Sequence, residues 1–256
     1  MKRMAVLVLL AAAAVGCVSK QEAHNSAVRF LNAVPDGPRM TLIIDGDTKA
    51  SGYDYGSGTP YVAQAAAATG VRIDEDLADN DGTGSRTIFN QVIDLGINDE
   101  LTLLVVGTAN HEELVSIGST TRGVPTGKTR IQVAHAGVGQ APVDVYVLAP
   151  GVLPSASTPL ATALAYKAFT AQEEITAGSA EIYVTPAGDP ATVLFDSGSV
   201  YLPPEGTWLV VVANNTGLDA ATHPFRLTAM TGTGSGILLN KDTQAQVRFV
   251  NVSPGA

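Results

Sequence analysis

What constrains this chain most is that it repeats itself. The segment VRFLNAVPDGPRMTLII from Val28 aligns without a gap on IQVAHAGVGQAPVDVYV from Ile131, an offset of 103, and VRFVNVSPGA starts the pattern a third time at Val247. A second block recurs in the same order: ELTLLVVGTAN from Glu100 matches EGTWLVVVANN from Glu205, an offset of 105. Two blocks repeating in one order mean two whole modules of about a hundred residues each, the ordinary size of a β-sandwich.

Inside each module the pattern is that of strands. Val28 and Phe30, then Met40, Leu42 and Ile44, alternate with other residues at period two, as do Ile131 and Val133, then Val143, Val145 and Val147. Pro35 to Pro38, Ala149 to Gly151, Pro186 to Gly188 and Pro203 to Gly206 supply the proline and glycine that chain reversals need. Leu101 to Val106 and Trp208 to Val212 are unbroken apolar runs, which suit strands covered on both faces or central in a core. The alanine-rich stretches Val62 to Thr69 and Leu160 to Glu174 have helical propensity, but they lie inside a β repeat and are read as strand and connection. At 45% hydrophobic and only 15% charged, the chain has the apolar material for a buried core.

The fold class is therefore all-β, with tandem immunoglobulin-like β-sandwich modules after a lipoprotein signal peptide. The expected divisions are a signal peptide (1–16), a lipidated tether (17–26), a first module (27–127), a second module (128–243) and the first strand of an incomplete third copy (244–256). A lone strand can neither bury its apolar face nor pair its backbone. The third copy is thus expected either to belong to a longer repeat protein of which this chain is a truncation, the favoured alternative, or to pair with an exposed strand edge.

The N-terminus sets the location. Met1-Lys2-Arg3 is a short basic region, and Met4 to Val15 is an apolar run too short to span a bilayer but sized for a signal-peptide core. Ala14-Val15-Gly16-Cys17 resembles the bacterial lipobox, in which a small residue precedes an invariant cysteine. That resemblance implies a diacylglycerol thioether on Cys17, cleavage before it and acylation of the new amine; two or three chains anchor stably where one does not. Cys17 is the only cysteine, so no internal disulfide exists and stability rests on packing. The alternative is a signal cut elsewhere, leaving a free thiol. Val18 in place of an aspartate favours the outer membrane by analogy with Gram-negative lipoproteins. The formal charge is −9, and the first sixteen residues hold Lys2, Arg3 and no acid, so the remainder carries −11. Such a body repels phosphate backbones and anionic headgroups, which excludes nucleic acid as a partner and leaves a hydrophobic or covalent membrane attachment.

Three segments together carry a family resemblance. VAHAGVGQAPVDVYV from Val133, AEIYVTPAGDPATVLFDS from Ala180 and TWLVVVANN from Thr207 resemble the bacterial family called domain of unknown function 4397. Its signature is a His-Ala-turn-Ala-Pro-Val-Asp-Val-Tyr strand, a Thr-Pro-Ala-Gly hairpin and an apolar strand. The second module, roughly Thr129 to Lys241, fits throughout. The first departs from it: Asn32 stands for His135, Thr41 for Asp144, and an acidic insert, Asp74 to Gly84, replaces the hairpin. The family is similar to immunoglobulin-like sandwiches and has no established activity to transfer.

Residues that carry chemistry are few. His135 and Asp144 are a base and orienter in principle, but Asn32, Thr41 and Asn251 at the matching sites point to polar side chains that bond turn backbone. No G-x-S-x-G nucleophile elbow occurs. Asp74, Glu75, Asp76, Asp79 and Asp81 gather hard oxygen ligands suited to calcium, though without EF-hand spacing; a solvated acidic hairpin tip is the simpler reading. His24, His111, His135 and His223 show no zinc spacing. Gly232-x-Gly234-x-Gly236 reads as a flexible hairpin connection rather than a phosphate loop. Tyr53, Tyr55 and Tyr61 either form an exposed stacking surface for sugars or peptides or are half-buried strand residues. The resulting expectation is a non-enzymatic, membrane-anchored envelope module for binding, adhesion or spacing, without a cofactor beyond the lipid on Cys17, that takes a protein or glycan partner. The alternatives are a calcium-assisted hydrolase and a glycan-binding protein.

Overall fold

The computed structural model describes residues 25–77 and 84–243. The signal peptide, Cys17, Asp79, Asp81 and the third copy lie outside them. Apart from one turn of 3-10 helix at Pro154–Ala156, the regular structure is all strand. No helix among the described residues is long and apolar enough to cross a membrane.

The first half contributes β1 (Asn25–Asn32), β2 (Met40–Ile44), β3 (Asp47–Tyr53), β4 (Val62–Ala65), β5 (Ala68–Asp76), β6 (Ser85–Asp94), β7 (Glu100–Thr108) and β8 (His111–Ser119). They form two four-stranded sheets, ordered β4-β1-β7-β8 and β3-β2-β5-β6. The second half contributes β9 (Lys128–His135), β10 (Val143–Leu148), β11 (Ala161–Leu164), β12 (Glu173–Thr176), β13 (Gly178–Pro186), β14 (Phe195–Leu202), β15 (Thr207–Asn214), β16 (Phe225–Thr231) and β17 (Gly234–Leu238). Its sheets run β12-β9-β15-β16-β17 and β11-β10-β13-β14. The order is that of the first half, with one strand added at an edge. In both modules the first strand runs parallel to the seventh, β1 with β7 and β9 with β15.

The alanine-rich stretches are strand and connection: β4 and the start of β5 occupy the first, β11 and β12 the second. Two sequence expectations need correction. The apolar block that aligns at an offset of 105 sits at 107 in space, because Val28 pairs with Leu101 while its counterpart Ile131 pairs with Trp208. A slip of two residues keeps every side chain on its own face, so alternation alone could not reveal it. Gly234 and Gly236, read as hairpin connection, are part of β17.

The four sheets stack with three apolar layers between them. One layer, with Val28, Phe30, Leu42, Ile73, Leu103 and Val105, fills the first sandwich. Another, with Ile131, Val133, Val145, Ile182, Val210 and Val212, fills the second. The third lies between the modules: Leu31, Ala33, Leu104, Val106 and Ile117 meet Ala134, Ala136, Leu209, Val211 and Met230. Successive residues of β7 and β15 thus point into different layers, which is why both strands read as continuous apolar runs.

Across this third layer equivalent positions meet equivalent positions. Arg29 Nη1 donates to the Thr231 carbonyl at 2.6 Å, and Gln132, at the place of Arg29, donates through Nε2 to the Gly118 carbonyl at 3.4 Å, at the place of Thr231. Arg226 Nη2 donates to the Tyr55 carbonyl at 2.8 Å, while Glu113, at the place of Arg226, takes Lys167 Nζ at 2.8 Å. The two modules are therefore related by a pseudo-two-fold axis, and their contact is isologous, as in a homodimer held in one chain.

Candidate functional site

The turns that follow β1 and β9 hold the residues singled out by the sequence. His135 is fully buried at the end of β9. Its Nδ1 accepts the Gly137 N–H at 3.0 Å, which leaves Nε2 to donate to the Ala141 carbonyl at 3.3 Å, and Phe225 meets the ring edge-on at 5.9 Å between centroids. Asn32 does the same work in the first module. Its Oδ1 accepts the Val34 N–H at 3.0 Å, and its Nδ2 donates to the carbonyls of Pro38 at 3.2 Å and Tyr53 at 3.1 Å. Val34 and Pro38 are the counterparts of Gly137 and Ala141.

Asp144 is also buried, but it serves different turns. Its Oδ1 accepts the Ala163 N–H at 2.7 Å and its Oδ2 the Gly188 N–H at 2.8 Å. Ala163 needs that anchor, because its φ of 46° is a left-handed conformation that alanine rarely adopts. Gly188 closes the Thr-Pro-Ala-Gly hairpin with a φ of 77°. The signature aspartate and the signature hairpin are thus two halves of one contact. In the first module both are missing together, and the cross-strand pair is reversed: Thr41 faces Asp74 where Asp144 faces Thr185.

The imidazole follows from its burial. Desolvation holds the His135 pKa below the ordinary 6.5, so the folded state keeps a neutral ring. Above 6.5 neither state binds the proton and the full stability is present. As pH falls below 6.5 the unfolded chain takes up a proton that the folded chain refuses, and stability drops by up to about 1.4 kcal/mol per pH unit until the folded ring titrates. The expected result is a melting temperature that falls between pH 7 and pH 5, with that component absent in His135→Asn. Asparagine performs this role at position 32, so His135→Asn should also melt well above His135→Ala in the same scan.

The tyrosines are half-buried and engaged. Tyr53 meets Phe30 edge-on at 5.6 Å. Tyr55 lies under the Arg226 guanidinium at 3.9 Å and donates its hydroxyl to the Asn214 carbonyl at 2.6 Å, with its pKa pushed up to about 12 by burial. Tyr61 lies under Arg29 at 4.3 Å and shares a 2.6 Å hydrogen bond with the Ser119 hydroxyl. Tyr55 joins the modules, a role invisible in one strand's sequence.

The acidic segment is split. Asp74 and Asp76 lie on β5, not in the loop beyond it, and β-alternation turns Glu75 to the opposite face. Asp74 accepts the Thr87 hydroxyl at 2.7 Å and pairs with Arg72 at 3.2 Å; Asp76 accepts the Thr41 hydroxyl at 3.0 Å. Glu75 pairs with Arg86 at 2.5 Å, and the same guanidinium reaches Glu112 at 3.1 Å, which ties β5, β6 and β8 together. Among the described residues no group of three or more histidine, cysteine or acidic side chains is placed to hold a metal ion.

Two clefts remain. One, of about 480 Å³, lies beside the 215–224 loop, with Leu218, Asp219, His223 and Asp242 on its wall. The other, of about 490 Å³, opens at the seam, where Tyr61, Glu100 and Thr121 of the first module face Glu205, Trp208 and Thr233 of the second. There the Glu100 carboxylate is held by the Thr121 hydroxyl at 2.6 Å and by that residue's N–H, so it stays a fixed acceptor. The seam offers aromatic, hydroxyl and carboxylate groups from both modules. Sequence reasoning passed over Glu100, Glu205 and Trp208 because they converge only when the modules close.

Residues 26–146 match the model of the family described as Domain of unknown function (DUF4397). The resemblance carried by the strand signature is borne out, but the DUF4397 match lies elsewhere than the signature suggested. It covers the first module and runs through β9 into β10, whereas the quoted motifs fit the second module more fully. What the two modules share is the strand order and the capped turn after the first strand, which Asn32 serves as well as His135. No curated protein matches the chain. Among solved structures, a "putative adhesin" from Bacteroides ovatus is similar at 9% identity, over 85% of this chain and 96% of that one, with a TM-score of 0.26.

Proposed function

We propose that this chain is a non-enzymatic lipoprotein of the cell envelope, held to a membrane through Cys17, whose two sandwiches form one stiff body for binding, adhesion or spacing. The observation that carries this reading is the apolar layer between the modules. It removes the hinge that a two-domain enzyme would close around a substrate, and it turns the pair into a rigid extension of whatever holds its N-terminus. The polar residues that invite a catalytic role support the same view, since His135, Asp144 and Asn32 spend their hydrogen bonds on turn backbone.

The anchor is tested in cells. Wild-type protein should incorporate labelled palmitate and sediment with membranes, and Cys17→Ser should lose the label and leave the membrane fraction. An unlabelled wild-type protein would remove the tether, and with it the spacer role.

A further inference from the structure

In strand order the pseudo-two-fold relation has one exception among the described residues, and it leaves an edge open. In the second module β16 is covered by β17, with Leu227 opposite Leu238, Met230 opposite Ser235 and Thr231 opposite Gly234. In the first module β8 is the counterpart of β16, yet among the described residues it pairs with β7 alone.

The outward groups of β8 can be identified. β7 and β8 are joined by a two-residue hairpin whose flanking residues Thr108 and His111 are opposite each other, and such residues exchange hydrogen bonds. Alternation then turns Glu113, Val115, Ile117 and Ser119 toward β7, and the N–H and C=O groups of Leu114, Ser116 and Gly118 outward. The same count on the β16–β17 hairpin aims Leu227, Ala229 and Thr231, their counterparts, at β17. The outward ladder on β8 therefore matches the one that β17 satisfies.

Other edges are protected as proteins usually protect them. β4, β11 and β12 have four residues each and β17 five, while β3, β6 and β14 adjoin register shifts. β8 pairs over nine residues without a break, and from Leu114 to Ser119 it carries no charge and no proline.

The edge is continuous with the seam. Ser235 on β17 reaches into the first module, where its hydroxyl accepts the Gly58 N–H at 2.8 Å and donates to the Gly58 carbonyl at 3.2 Å. The counterpart of Gly58 is Phe169, since Leu31 bridges to Gly58 as Ala134 bridges to Phe169. Phe169 is 42% exposed, and among the described residues no hydroxyl meets its N–H and C=O.

We propose that the β8 edge takes an extended strand of a partner protein, antiparallel to Leu114–Gly118, with a serine or threonine opposite Ile117 to bond the Phe169 backbone and aliphatic residues opposite Val115 and Leu114. This is β-strand addition, in which main-chain hydrogen bonds give affinity and alternate side chains give selectivity. It names the partner chemistry for the binding role above, but it does not depend on the lipid, so its failure and the failure of the tether are separate results.

The probe is a synthetic peptide with the sequence of residues 232–240, GTGSGILLN, titrated into the isotope-labelled chain. Saturable amide shifts confined to Leu114–Gly118 and Phe169 are expected. Ser116→Pro removes an outward N–H while leaving the β7 ladder intact, and should weaken binding about tenfold or more. A peptide with valine in place of its serine should also bind less tightly to the wild-type chain, which tests the Phe169 contact without altering the fold. No saturable shift, or equal shifts along β6, overturns the proposal. So does a wild-type dimer that Ser116→Pro dissolves, because the edge would then be used by a second copy.

Discussion

Val211→Asp is expected to unfold both modules at once. Val211 is fully buried in the layer between them, among mostly aliphatic neighbours, and the hydroxyl of its cross-strand partner Thr228 is already given to the Gly56 carbonyl. A carboxylate there must either remain charged without a partner or take up a proton, and its burial costs about 4 kcal/mol or more, a large part of the stability of a domain this size. Trp208 is the only tryptophan, so its fluorescence follows the second module while far-ultraviolet circular dichroism follows the whole chain. Both signals should be lost in one transition at markedly lower temperature or denaturant concentration. Two native sandwiches that merely separate would show that the middle layer adds little.

Asp144→Ala carries the second large effect. It strips the acceptor from two turn N–H groups, those of Ala163 and Gly188, and each orphaned donor costs about 1 to 3 kcal/mol. A loss of about 2 to 4 kcal/mol is expected in urea titrations, because the groups are only partly reachable by water. Asp144→Asn keeps one acceptor oxygen and should recover part of the loss. Equal stability of the wild type and Asp144→Ala would mean that the signature aspartate is there for something other than its hairpin.

How much of this was legible in the sequence depends on whether the cause was local. The repeat of Val28 to Ile44 at Ile131 to Val147 announced two β modules, though not the order of their strands, because hydrophobic alternation and turn residues act within a few positions of where they stand. The capping role of His135 was visible in the same way, through Asn32 at its matching site. The middle layer was half visible: Leu101 to Val106 and Trp208 to Val212 read as strands covered on both faces, but nothing in one strand says that the second cover is the other module. Tyr55 illustrates the same limit, since its partners Asn214 and Arg226 lie far along the chain. The exchange of Thr41 and Asp74 for Asp144 and Thr185 was hidden for another reason. A carboxylate and a hydroxyl can trade strands and still fill the same space, so aligning one strand records a loss where the pair records a swap.

The apolar layer at the seam should make the two sandwiches move as one body. Backbone nitrogen relaxation measured along the whole chain tests it directly, because each amide reports the tumbling of the unit that carries it. One rotational correlation time shared by amides of β5 and β13, inner strands of the sheets that do not meet at the seam, is the expected result. Two distinct and shorter times, one for each module, would contradict it.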